Sequence, residues 1–145
     1  MSDSKILVAT DFSEMSQFAI DYATTHASKT GATLLIMHAV AVPSPKKGGG
    51  MLHDGVDPED LQMAERKLEA ITAEVEGVRY EHRLVRGEPA QQILRLAEEE
   101  NVDLIVMGTH GRTGLVRALM GSVAEQVVRN ATCPVVTVKV PKSSA

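Results

Sequence analysis

Four residues in the last third of the chain have the types and spacing to bind an anion: Gly108, Gly111, Gly121 and Ser122. Glycines let backbone N–H groups turn inward and approach a ligand closely, and the Ser122 hydroxyl can add a donor. A stretch that can be helical, residues 123–130, follows at once. Because the first turn of a helix has unpaired N–H groups and the positive end of a dipole, the stretch predicts an anion site.

The spacing of these residues separates the site from two common phosphate-binding patterns. It reads Gly-x2-Gly-x9-Gly-Ser. A P-loop needs a Lys before a Ser or Thr after its second glycine, and the dinucleotide pattern is GxGxxG; this stretch matches neither. The alternative interpretation is a glycine-rich connector that holds no ligand.

Short apolar runs predict five strands, at residues 5–10, 33–40, 78–86, 104–107 and 135–140. The segments between the strands predict helices. Strands that alternate with helices, and that are apolar on both sides, are typical of a parallel sheet with helices on both faces. The third strand is the most polar, so we expect it at an edge.

The second helix has the clearest start signal. Asp57 is suited to cap it and Pro58 to occupy its first position. Its apolar residues recur at spacings of three and four: Leu61, Ala64, Leu68, Ile71 and Val75. We expect the helix to continue until Gly77. The preceding residues, 41–57, predict a long mobile loop.

Two candidate ligand positions follow strands rather than helices. Asp11 comes after strand one, and the glycine-rich loop comes after strand four. Ligands of open α/β sheets bind beyond the carboxyl ends of the strands, where the strand order reverses. If both positions share one ligand, strands one and four are neighbours, which favours the order 3-2-1-4-5.

The composition limits the class of protein. A length of 145 residues with 43% hydrophobic content fits a single globular domain over residues 1–145. The net charge of −4 and the few aromatic residues give no indication of nucleic-acid binding. No apolar run approaches the roughly 18 residues of a membrane span. The single cysteine, Cys133, excludes an internal disulfide and favours a cytoplasmic protein.

Beyond these arguments, the chain resembles the ATP-binding branch of the universal stress protein family. The glycine and serine spacing matches the signature of that branch, and KILVATDFS, LLIMHAV and CPVVTVK resemble the family's first, second and last strands. The resemblance implies a Rossmann-like α/β fold of the adenine nucleotide alpha hydrolase type. It also implies binding of ATP, AMP or ADP, with Mg or Mn held through the phosphates.

Carried over position by position, the resemblance implies three groups of site residues. The nucleoside is expected at Ala9, Asp11 and Ala39; the ribose and phosphates at Met107, Gly108, His110, Gly111 and Arg112; and the phosphates at Gly121, Ser122 and Val123. Each has a plainer interpretation. Asp11 could instead cap helix one, although Ser13 is suited to do so, and His110 and Arg112 could be ordinary loop residues.

Three functions remain open at this point. The chain could be a regulatory protein that binds an adenine nucleotide, a slow ATP hydrolase, or a nucleotide-free interaction dimer. Hydrolysis needs an oriented water and charge stabilisation at the γ-phosphate, for which His110 and Arg112 are the candidates. The loop has no evident carboxylate base and no Walker-B pair, so binding with at most weak turnover is favoured.

The fifth strand predicts a homodimer. Its valines, Val135, Val136, Val138 and Val140, form a hydrophobic strand at the edge of the expected sheet. An unpaired edge is a template for another chain, and a two-fold axis would hide both edges. The resemblance implies the same dimer. Replacing Val136 with Pro would disrupt it if the Val136 N–H faces the partner.

Overall fold

A computed structural model describes residues 4–42, 55–109 and 121–139 of the chain. Strands and helices alternate along them. In chain order they are β1 (Lys5–Ala9), α1 (Glu14–Thr30), β2 (Thr33–Val40), α2 (Pro58–Glu69), β3 (Tyr80–Arg86), α3 (Pro89–Glu99), β4 (Leu104–Gly108), α4 (Ser122–Asn130) and β5 (Val135–Val138). Most of the loop predicted at 41–57 lies outside the described residues.

The strands form one parallel sheet in the order β3-β2-β1-β4-β5, which confirms the predicted order. Val8 of β1 stands between Ile36 of β2 and Val106 of β4. The chain leaves β1 toward one side of the sheet and returns to its other side at β4. The carboxyl ends of β1 and β4 are therefore adjacent, at the point where the strand order reverses.

Side chains along the three central strands alternate between two buried layers. One layer joins the sheet to α3 and α4 and includes Leu7, Leu35, Met37, Ile93, Ile105, Met107 and Val127. The other joins the sheet to α1 and α2 and includes Ile6, Val8, Ala19, Ile20, Leu34, Ile36, Leu68 and Val106. The period of two in the strands and the apolar stripes of the helices thus place helices on both faces of the sheet, as predicted.

Helix α2 begins as predicted but ends earlier. The Asp57 side chain accepts a hydrogen bond from the Glu59 N–H at 2.9 Å, and the helix stops at Glu69 instead of reaching Gly77. The ring of His82 on β3 lies 2.7 Å from the Ile71 carbonyl oxygen, and Ile71 packs on the sheet. Contacts with the sheet therefore end the helix at a point where the spacing of apolar residues alone would continue it.

Strand β5 ends at Val138, earlier than predicted, because its partner β4 ends at Gly108. Hydrogen bonds mark both ends of this pairing. The Ile105 N–H donates to the Pro134 carbonyl at 3.0 Å, and the Thr109 N–H donates to the Val138 carbonyl at 3.1 Å.

These two bonds fix which way each residue of β5 faces. Backbone groups of alternate residues point to the same side of a strand. Val136 therefore faces β4, as Pro134 and Val138 do, whereas Val135 and Thr137 present their N–H and C=O groups to the outer edge. The Val136 N–H does not point toward an outside partner, so the condition attached to its replacement by Pro is not met. Val140 lies outside the described residues.

No helix in the described part of the chain is long and apolar enough to cross a membrane.

Candidate functional site

A cavity of about 240 Å³ opens at the carboxyl ends of β1 and β4, where the strand order reverses. It brings together most of the predicted site residues: Ala9, Asp11, Met107, Gly108, Gly121, Ser122 and Val123. Residues from the two strand ends form one side, and the first turn of α4 forms the other. We refer to this space as the β1–β4 cavity.

The amino end of α4 supplies hydrogen-bond donors to this cavity. Gly121 is the N-cap residue, with an extended backbone (φ −64°, ψ 159°), and no side chain caps the helix within the described residues. The Glu125 N–H donates to the Gly121 carbonyl and closes the first helical turn. The N–H groups of Ser122, Val123 and Ala124 lie within that turn and have no intrahelical acceptor, so they are available to an anion.

The N–H of Gly121 itself already has an acceptor within the chain. It donates to the Thr109 carbonyl at 2.7 Å, and Thr109 is buried. This bond joins the end of β4 to the start of α4. The three residues that follow Gly121 carry the N–H groups that have no intrahelical acceptor.

Hydrogen bonds around the buried Thr10 fix the end of β1. The Thr10 N–H donates to the Met37 carbonyl at 2.8 Å, and the Phe12 N–H donates to the Thr10 hydroxyl at 3.0 Å. That hydroxyl also lies 2.9 Å from the hydroxyl of Ser16, while the His38 ring lies 2.7 Å from the Thr10 carbonyl. Since a carbonyl only accepts, His38 carries its proton on Nδ1.

Asp11 follows this fixed point and is half-buried. Its Oδ1 accepts the Ser13 N–H at 3.0 Å, while Ser13 itself caps α1 by accepting the Ser16 N–H at 3.2 Å. Ser13 thus caps the helix, as its position in the sequence predicts, and Asp11 shapes the turn before it. The carboxylate lies at the sheet edge where a ligand is expected.

Ala39 lies in a neighbouring cavity rather than in the β1–β4 cavity. This second space, about 360 Å³, lies between β2 and α2, and we call it the β2–α2 cavity. It is lined by Asp11, Phe12, His38, Ala39, Val40, Ala41, Asp60, Met63, Ala64 and Lys67. Asp11 is the residue that the two cavities share.

Sequence reasoning missed four residues of the β1–β4 cavity: Thr10, Ile93, Thr109 and Ala124. Thr10 and Thr109 immediately follow strands, which was an available signal. Ile93 and Ala124 are apolar helix residues, a pattern that indicates only packing in the core. His110, Gly111 and Arg112 lie outside the described residues, so their predicted roles stay predictions.

The described lining of the β1–β4 cavity has one carboxylate, Asp11, and no Lys or Arg. In the described lining, the groups that could bind an anion are therefore backbone N–H groups rather than side-chain cations. Burial raises the pKa of the Cys133 thiol, which disfavours the thiolate. The described residues contain no group of three or more His, Cys, Asp or Glu side chains that could enclose a metal.

The sheet order and the cavity at the reversal point define a doubly wound α/β protein. The model of the universal stress protein family matches residues 4–139. Universal stress protein MJ0531 of Methanocaldococcus jannaschii is 40% identical over 142 residues, which cover 95% of this chain and 83% of that protein. The chain belongs to the universal stress protein family.

Two solved structures of similar proteins carry nucleotides. The universal stress protein from Archaeoglobus fulgidus in complex with dAMP is 27% identical, with a TM-score of 0.73 over 96% of this chain and 100% of that one. A universal stress protein in complex with cAMP is 29% identical, with a TM-score of 0.63 over 94% of this chain and 98% of that one.

Proposed function

We propose that this universal stress protein binds ATP, or its mono- or diphosphate, as a regulatory module. The observation that carries the proposal is the amino end of α4, which opens into the β1–β4 cavity without a side-chain cap in the described residues. Three backbone donors face a position beyond the sheet, at the site where α/β proteins of this topology bind nucleotides. The dAMP and cAMP complexes of similar proteins support an adenine nucleotide.

The two ends of the ligand call for different contacts. Phosphate oxygens fit the N–H groups of Ser122, Val123 and Ala124, because those donors lie at the positive end of a helix dipole. The ribose hydroxyls fit the carboxylate of Asp11, which accepts hydrogen bonds and would repel a phosphate. The adenine fits the backbone near Ala39, on the far side of Asp11.

A metal ion would be held mainly by the phosphates. Mg and Mn take oxygen ligands, and the described lining offers one carboxylate rather than a cage. When bound, such an ion would neutralise part of the phosphate charge. The chain's own contribution is to hold the phosphates in place through the first turn of α4.

Binding without efficient hydrolysis is the favoured mode. Hydrolysis of ATP needs a positioned water and a cation at the γ-phosphate. In the described lining Asp11 is the sole carboxylate and no cation is present. His110 and Arg112 are the predicted candidates for any turnover.

The proposal includes a homodimer formed by β5 and a cytoplasmic location. The outer edge of β5 presents the polar backbone groups of Val135 and Thr137, and all four strand residues are only half-buried in the single chain. Pairing with a second β5 would satisfy these groups. The single cysteine suits a reducing compartment.

Titration calorimetry of the purified protein with ATP and with GTP tests the function. We expect saturable binding of ATP, weaker binding of GTP, and slow phosphate release at saturating ATP. Equal competition by GTP would remove the adenine preference. Absence of any ATP binding, in protein free of retained nucleotide by mass spectrometry, would overturn the proposal. Rapid phosphate release would make the protein an ATPase instead.

A further inference from the structure

Phe12 adopts a backbone conformation that its residue type disfavours. Its φ is +67°, in the left-handed region. Asn101 is the other non-glycine residue with positive φ in the described part of the chain, and asparagine tolerates that region well. A bulky aromatic residue does not, so surrounding contacts must impose the conformation. Such strain is found at functional sites more often than elsewhere.

Contacts from three elements hold Phe12 in place. Its N–H donates to the Thr10 hydroxyl at the end of β1, at 3.0 Å. Its ring centroid lies 4.2 Å from that of His38 on β2, with the planes tilted by 36°. The ammonium nitrogen of Lys67 on α2 lies 5.6 Å from the centre of the ring, within range of a cation–π attraction. Phe12 is thus anchored to β1, β2 and α2.

Phe12 lies between two residues, Asp11 and Ser13, that share a hydrogen bond. The Ser13 N–H, after Phe12, donates to Oδ1 of Asp11, before Phe12, at 3.0 Å. Because the bond spans Phe12, the anchored backbone of Phe12 fixes the position of the Ser13 N–H relative to the carboxylate. The bond in turn holds the carboxylate where the two cavities meet.

We propose that Phe12 is a positioning residue for nucleoside recognition: its anchored ring and left-handed backbone hold the Asp11 carboxylate toward the ribose. This inference rests on the proposed nucleotide binding and deepens it. The ring also links Asp11 to β2 and α2, because it packs against His38 of β2 and lies within cation–π range of Lys67 of α2. Phe12 acts through Asp11 and has no required contact with the phosphates.

A double-mutant cycle on ATP affinity tests the proposal. The variants are Phe12→Ala, Asp11→Asn and the two combined, measured by calorimetry. Asparagine keeps the oxygen that accepts the Ser13 N–H but removes the charge. We expect Phe12→Ala to weaken binding about tenfold in the wild-type background and less than about twofold in the Asp11→Asn background, because coupled residues are not additive.

Two further variants separate positioning from general destabilisation. Phe12→Tyr keeps the ring and should restore affinity to within about twofold of the wild type. Phe18→Ala removes the chain's other phenylalanine, which is half-buried on α1 and lines neither cavity. It should lower the melting temperature while ATP affinity is retained. If Phe12→Ala does not fold, Phe12→Asn replaces it, because asparagine accepts the left-handed backbone.

The outcomes distinguish this inference from the function on which it rests. A wild-type protein that does not bind ATP overturns both. Wild-type binding that Asp11→Asn weakens, with Phe12→Ala either neutral or fully additive to it, overturns the role of Phe12 alone. Loss of affinity in Phe18→Ala equal to that in Phe12→Ala would also overturn it, since the effect would then be one of stability.

Discussion

At the scale of single residues, Asp11 connects the two cavities of the proposed site. It is the lining residue common to the β1–β4 and β2–α2 cavities, and its Oδ1 is held by the Ser13 N–H. A fixed carboxylate between two cavities can select a ligand that extends through both. A nucleoside, with its ribose hydroxyls beside its base, has that shape and chemistry.

Replacing Asp11 with Ala tests this assignment. Loss of a hydrogen bond to a charged group costs about 1.5–3 kcal/mol, so we expect ATP affinity to fall roughly tenfold to a hundredfold. Asp103→Ala is the matched control, because Asp103 holds the Lys5 N–H at 2.9 Å at the amino end of β1, away from the cavity. An Asp11→Ala variant that binds ATP as well as Asp103→Ala would contradict the assignment.

Position and residue type marked Asp11, Gly108, Gly121 and Ser122, which line the β1–β4 cavity, and the family resemblance added Ala9, Met107 and Val123. The sequence did not show that Ala9 and Ala39 line different cavities, since both belong to strands whose carboxyl ends lie at the same end of the sheet. It also could not predict the acceptor of the Gly121 N–H, because that bond depends on how closely the Thr109 carbonyl approaches. Such distinctions arise from tertiary contacts that residue types do not encode.

At the scale of elements, the proposed anion site depends on the amino end of α4, which has no side-chain cap in the described residues. Gly121 already has the extended backbone of an N-cap residue. An aspartate in its place could accept the Val123 or Ala124 N–H without backbone strain. It would occupy the donors that the phosphates need.

Gly121→Asp therefore separates ligand binding from stability. We expect the melting temperature to stay unchanged or rise slightly, because aspartate is the better N-cap by a few tenths of a kcal/mol. ATP affinity should fall by at least about tenfold through lost donors and charge repulsion. Gly121→Asn, which caps without charge, should give a smaller loss. Undiminished ATP binding by Gly121→Asp would place the phosphates elsewhere.

A second element-scale feature is the ion-pair group that ties α3 to the sheet. Glu100, at the end of α3, accepts from Arg83 Nε at 2.8 Å and Lys5 Nζ at 3.2 Å. The Arg83 hydrogen bond in particular lowers the pKa of Glu100, and the same bond raises the pKa of Arg83. The lowered pKa links stability to pH: the contribution is complete above the ordinary glutamate pKa of about 4.3 and is lost as the pH falls through the lower value in the folded protein.

Glu100→Gln should thus lower the free energy of unfolding by about 1 kcal/mol at neutral pH, a modest value because the group is partly exposed. The difference from the wild type should shrink as the pH falls below about 4.3. Glu99→Gln is the control, since its pair with Arg95 is largely exposed. Urea unfolding at several pH values checks this, and a difference that stays constant down to acid pH would exclude the linkage.

Helix α2 marks the limit of prediction at this scale. Asp57 and Pro58 fixed its start because capping is a local effect. The predicted end of α2 at Gly77 was wrong because Ile71 lies beyond the helix and packs on the sheet, where the His82 ring contacts the Ile71 carbonyl. Helix starts are set by neighbours in sequence, whereas this end is set by a strand that comes later in the chain.

At the scale of the whole molecule, the order of the sheet was predictable and leaves two edges. β3 and β5 each pair with one strand in the described structure. The order followed from requiring that Asp11 and the glycine loop share a ligand, an argument from function rather than from propensity. The direction of the β5 backbone groups could not be predicted, because it depends on the register with β4.

That register gives a sharper test of the proposed dimer. Thr137 presents its N–H to the outer edge, so Thr137→Pro removes a bond to the partner but none to β4. Proline is tolerated at such edge positions. For this variant we expect a folded monomer by light scattering and circular dichroism, and for the wild type a dimer.

Val136→Pro is the comparison, because it removes a bond to β4 and should instead destabilise the single chain. A wild-type protein that stays monomeric at high micromolar concentration would refute the dimer without any variant. So would a Thr137→Pro protein that remains dimeric.

The most direct test of the central claim is an NMR titration of nitrogen-15-labelled protein with ATP. We predict saturable shifts of the Ser122, Val123 and Ala124 amide resonances, accompanied by Asp11. Adenosine should shift Asp11 but leave the three helix amides nearly unchanged, because it lacks phosphates. Helix amides that do not respond to millimolar ATP, or responses confined to residues outside both cavities, would contradict the account.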